Sequence, residues 1–195
     1  MLVPNMIKLA TLTLVFAVAG CVSVLPEPAT PDALYRIDAQ TNGPELMASV
    51  TIREPEAARV FAGTAMVSED GAGALRLVPG VEWAGPATRQ FQLALVDSFG
   101  ASGARAVLPE SGIATRYELS SRLATFGFVR DEAVCVVSVD LIDLTKRTSV
   151  KSGTVKSSAP FLEVGASSRA LTMKSVAQQC VAKVSEFIAS VETAS

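Results

Sequence analysis

Apolar and polar positions divide this chain into three regimes. Leu9 to Val18 is a largely apolar run rich in Leu, Val and Ala that ends at Ala19-Gly20-Cys21, about half the roughly twenty residues needed to span a bilayer. From Val22 to Asp32, Pro26, Pro28 and Pro31 stand among small and polar residues, a composition that favours extended geometry and packs no core. Beyond Leu34 the pattern becomes that of a folded domain. Leu46, Ala48, Val50 and Ile52 alternate with Glu45, Met47, Ser49, Thr51 and Arg53, which predicts a strand. Further strands are predicted at 60–67 and 75–78, around a Glu69 to Gly73 turn. Pro86 then opens a helix over 87–99, whose Phe91, Ala94, Leu95 and Phe99 recur at three- and four-residue spacing.

The second half reads as an antiparallel meander over 114–129, 133–144 and 149–157. In its central strand Ala133, Cys135, Val137, Val139 and Leu141 share one face, with Ser138 and Asp140 on the other, so the odd positions are expected to face the core. A last helix over 168–191 carries Met173, Ala177, Cys180, Val181, Val184, Phe187, Ile188 and Val191 on one stripe. The predicted class is α/β (α+β): a two-layer sandwich with a mixed or largely antiparallel sheet and two main helices on one face.

Composition narrows the function. The 195 residues suit one domain, and 17 basic against 19 acidic side chains give no positive field for a phosphate backbone, so nucleic acid is not expected. Histidine is absent, which removes the usual general base and the commonest zinc ligand. Asp140 and Asp143 fall on opposite faces of one strand. Gly71-Ala72-Gly73 has Arg76 where a third glycine would stand, and no phosphate-cradling lysine follows. Lys151-Ser152 and Lys174-Ser175 read as solvated surface. No catalytic residue, metal ligand or cofactor is expected. Trp83, the only tryptophan, reads first as a plug at a helix entrance and second as a partner or lipid contact. A sheet whose outer face stayed apolar would pair with another copy, so a homo-oligomer is among the expected assemblies.

The three cysteines have no Cys-x-x-Cys spacing. Val18-Ala19-Gly20-Cys21 resembles the lipobox of bacterial lipoproteins, which makes 1–20 a signal peptide, Cys21 the lipidated (palmitate-type) first residue of the mature chain, and 21–33 a tether. Removing 1–20 takes away one charged side chain, Lys8, and leaves 16 basic against 19 acidic residues, or −3. Val22 in place of the Asp of inner-membrane retention points to the outer membrane, and the tether reaches at most about 40 Å. Cys135 and Cys180 both point inward, and in the oxidising periplasm a disulfide between them is expected; two buried free thiols are the alternative.

A wider resemblance rests on Tyr35-Arg36, on Trp83-Ala84-Gly85-Pro86 leading into a helix with Leu93 and Leu95, on Tyr117-Glu118-Leu119 with Phe126 downstream, and on Leu141-Ile142-Asp143. These resemble the ABC-type transport auxiliary lipoproteins, a family that includes the outer-membrane component of the paraquat-inducible MCE lipid-transport system. The likeness covers about residues 30–192 and implies an auxiliary domain over 34–192. It implies a non-enzymatic accessory of an intermembrane lipid transporter, docking a periplasmic tunnel at the outer membrane. The implied partners are an MCE-domain protein, an ABC permease and its ATPase. Two other readings stay open: an envelope scaffold or activator of a cell-wall synthase, and a periplasmic lipid-binding module.

Overall fold

The structure is a computed structural model that describes residues 30–39, 43–100, 105–161 and 165–191. The leader, Cys21 and most of the tether lie outside the described residues. The folded unit is Pro31–Ser195.

Three long strands dominate: β7 (Tyr117–Val129), β8 (Glu132–Asp143) and β9 (Thr148–Pro160). They form the antiparallel meander that the alternation predicts, with Phe126 opposite Cys135 and Cys135 opposite Ser157. The free edge of β7 is shared by three short parallel partners: β2 (Val50–Ile52), β3 (Glu56–Ala57) and β4 (Ala65–Glu69). The antiparallel hairpin of β4 with β5 (Leu75–Trp83) carries β1 (Ala33–Tyr35) in parallel on its far side, and β2 carries β6 (Ala106–Val107). Among the described residues the sheet is therefore mixed and nine-stranded, and the fold is α/β in class.

Helices α2 (Ala87–Ser98) and α3 (Ala166–Ala189) cover one face. The register fixes this. Phe126 and Cys135 are direct partners and share a face; Phe126 touches Phe91 of α2, and Cys135 is bonded to Cys180 of α3. The hydroxyls of Ser98 and Ser185 join the two helices at 2.7 Å. One core results, containing Ile52, Met66, Trp83, Phe91, Leu119, Phe128, Val137 and Val184.

Two expectations are corrected. Residues 60–67 are not one strand: α1 (Arg59–Ala62) precedes β4, and the Ala58 carbonyl accepts from Phe61 and Ala62. A short apolar run fits either element by periodicity alone. Here the run bridges the gap on the edge of β7 between β3 and β4, where one helical turn makes the step. The alternating stretch 45–53 contributes only Val50–Ile52 as strand. There all three residues are buried, Thr51 with its hydroxyl hydrogen-bonded to that of Thr115 at 2.7 Å, so the alternation of the sequence does not reappear as alternating exposure.

Candidate functional site

The structure separates the sequence-predicted residues into core and surface. Cys135 on β8 and Cys180 in the middle of α3 are both fully buried and form a disulfide with their Cα atoms 6.4 Å apart, inside the range that bridging requires. The bond staples the covering helix to the central strand. Trp83 is only 2% exposed and stacks on Phe126 with ring centroids 5.4 Å apart. Its indole fills the entrance of α2, so the alternative role as a partner contact is corrected: the ring has no surface to offer. Cys21 lies outside the described residues.

What remains for recognition is the sheet face turned away from the helices. Register places its side chains in rows across β7, β8 and β9: Ser120, Asp140 and Ser152; Arg122, Ser138 and Thr154; Thr125, Val136 and Lys156. Two open depressions lie along these rows, of about 470 Å³ around Ser138 and about 690 Å³ around Val136. Small hydroxyl-bearing side chains keep the middle of the face low, and Arg122 and Lys156 supply exposed cations. Ser138 and Asp140 on β8 showed this polarity in sequence, whereas Val134 and Val136 on the same face did not. Register was needed to show that three strands align it.

Two carboxylates serve as turn caps, Asp70 beside the larger depression and Asp143 at the β8–β9 turn. Asp70 accepts from the backbone N–H groups of Ala72 at 3.0 Å and Ala74 at 2.9 Å, which hold its carboxyl below the usual carboxylate range. At the β8–β9 turn Asp143 Oδ1 accepts from Thr145 and Lys146, each at 2.9 Å, and the Lys146 N–H leads the causes that lower its pKa. Asp140 instead accepts a hydrogen bond from Ser149. The two aspartates, three apart, thus do different work, as their opposite strand faces require. Lys174 is paired with Asp38 at 2.7 Å, and Lys151 lies over the Phe187 ring at 4.3 Å, so neither lysine is poised to activate its serine neighbour. Arg169 was not singled out by sequence. Its guanidinium stacks between Phe128 and Phe161, at 4.5 and 4.6 Å, and donates to Ser68 Oγ at 3.1 Å; burial lowers its pKa. No group of three His, Cys, Asp or Glu side chains converges as a metal site among the described residues. No described helix is long and apolar enough to cross a membrane.

The architecture is a helix-backed mixed sheet with one open face that is polar along β7–β9. Residues 33–189 match the family described as the ABC-type transport auxiliary lipoprotein component, and the chain belongs to that family. The fold is also that of a Xanthomonas campestris protein of family DUF330, at 18% identity and a TM-score of 0.73, covering 83% of this chain and 97% of that one. An uncharacterized protein aligns at 15% identity and a TM-score of 0.63, covering 82% of this chain and 97% of that one. A more distant likeness is to PelC, solved as a dodecamer from Paraburkholderia phytofirmans, at 21% identity and a TM-score of 0.46, covering 74% of this chain and 92% of that one. No curated protein matches the chain in sequence.

Proposed function

We propose that this protein is a non-enzymatic, lipid-anchored accessory of an ABC-type system that moves lipids between membranes, and that it docks an MCE-domain tunnel at the outer membrane. The observation that carries the reading is the family match across the whole folded unit, 33–189. The open face of β7–β9 supports it, because polar rows of small side chains suit a protein surface that must bind and release. Cys21, acylated after removal of 1–20, holds the domain at the membrane, and the outer membrane is the destination that Val22 favours. The Cys135–Cys180 bond forms after export, where thiols oxidise. Self-association has a route of its own: β9 is a 13-residue edge strand paired only with β8 among the described strands, and such an edge is a template for a second copy.

Affinity purification of the full lipidated chain in mild detergent tests the assignment. The MCE-domain protein, permease and ATPase are expected to co-elute. Co-elution of a peptidoglycan polymerase instead would move the protein to the cell-wall reading, and stoichiometric phospholipid without protein partners would make it a lipid-binding module.

A further inference from the structure

The sheet face opposite the helices is polar along the meander but apolar at its other end. On β5, Leu75 is 45% and Leu77 64% exposed; on β1, Leu34 is 60% exposed. All three point away from the helical layer. Leu77 and Leu75 stand opposite Val67 and Glu69, whereas Ser68 between them reaches Arg169 of α3. Leu34 precedes Tyr35, whose hydroxyl turns the other way to donate to the Ser167 carbonyl of α3. Exposed Pro79 follows Leu77 on β5 and exposed Arg36 stands two residues after Leu34, whereas Arg76, opposite Ser68, lies on the helical side and pairs with Asp70 at 3.4 Å. Glu82, half-buried, is the direct partner of Leu34. Three exposed leucines spread along the β1–β5 end of one sheet face are apolar surface that calls for a cover.

Chain connectivity indicates which surface. The tether enters the fold at β1, so Leu34 is among the first side chains of the domain, and the roughly dozen residues back to Cys21 span at most about 40 Å when fully extended. An acylated Cys21 therefore keeps this end of the sheet near the bilayer at high effective concentration, and a contact too weak to hold a free protein becomes populated. Leucines pack into the boundary between headgroups and acyl chains, while an arginine beside them, here Arg36, reaches lipid phosphates.

We propose that Leu34, Leu75 and Leu77 form the ridge on which the domain rests against the phospholipid surface. This places β9, at the opposite edge of the sheet from β1, farthest from the bilayer. The inference rests on the lipid-anchored reading of Cys21.

The test uses the full lipidated chain. With Cys21 acylated and Cys135 bonded to Cys180, Leu34→Cys, Leu77→Cys and Leu171→Cys each add a single free thiol. Each is labelled with an environment-sensitive fluorophore in vesicles of phosphatidylethanolamine and phosphatidylglycerol carrying bromine-labelled acyl chains. Leu171, 58% exposed on α3, is the control. Quenching several-fold stronger at 34 and 77 than at 171 is expected, and a Leu75→Ser, Leu77→Ser background should abolish it at 34 without changing the unfolding midpoint. Equal quenching at all three positions, or none at 34 and 77 in vesicle-bound protein, overturns the ridge. So does protection of position 77 that appears only when protein partners are added. A chain that fails to float with the vesicles shows instead that the anchor reading has failed, and the ridge falls with it.

Discussion

Asp143 shows how one side chain can tie stability to pH. Its carboxylate is enclosed, with 2% of the side chain exposed, and it accepts two backbone N–H bonds while Arg116 stands 3.8 Å away. Its pKa is lowered in the folded state, with the Lys146 N–H as the first cause. The unfolded chain therefore binds the proton more readily, and the carboxylate's contribution is present above the ordinary value of 3.8 and lost as pH falls through the folded pKa. Asp143→Asn should lower the urea midpoint at neutral pH, and the gap from wild type should close below about pH 4; a gap independent of pH would contradict this. Gly127 makes a steric case. A Cβ there would lie 2.4 Å from the Val67 carbonyl oxygen, whereas one at Gly71 would meet nothing within 4 Å. Gly127→Ala should thus cost about 1–3 kcal/mol by urea denaturation, and Gly71→Ala little. As the sole and buried tryptophan, Trp83 should emit in the blue and resist acrylamide until unfolding, and Trp83→Ala should cost about 3–5 kcal/mol.

Among the elements, legibility in sequence followed length. The meander and α3 carry enough repeats for their periods to be unmistakable, and that parity is what put Cys135 and Cys180 on facing surfaces. Two- and three-residue strands carry no period. β6 and the parallel pairing of β1 with β5 were invisible because their ladders are set by what the rest of the fold brings beside them. Trp83 was legible as a helix plug from Gly85-Pro86, whereas Arg169 was not, since a stacking cation on a helix looks like any surface arginine until Phe128 and Phe161 close around it. The outer face is an intermediate case: Ser138 and Asp140 marked one strand of it, but the irregularity between Leu123 and Thr125 decides which β7 residues complete the rows. The disulfide gives the prediction at this scale. Alkylation of the denatured, unreduced chain should find neither Cys135 nor Cys180 reactive, and replacing both with Ala should cost about 2–4 kcal/mol. Two reactive thiols per chain would remove the staple and leave the fold in place.

At the scale of the whole molecule the proposed reading gives the helical layer, the polar sheet face and the apolar corner at β1 separate tasks. The helices and the Cys135–Cys180 bond make a rigid back, so the open face can present Ser138, Thr154 and Lys156 in fixed rows for a partner. We propose that this face docks the tunnel of an ABC-type lipid transport system. Photo-crosslinking in intact cells can show this, with a photoreactive residue placed at Ser138 or Thr154 on that face and, for comparison, at Leu171 on α3. Adducts to an MCE-domain protein are expected from 138 and 154 and not from 171. Adducts from 138 and 154 only to a cell-wall synthase, or MCE adducts from 171 alone, would contradict it.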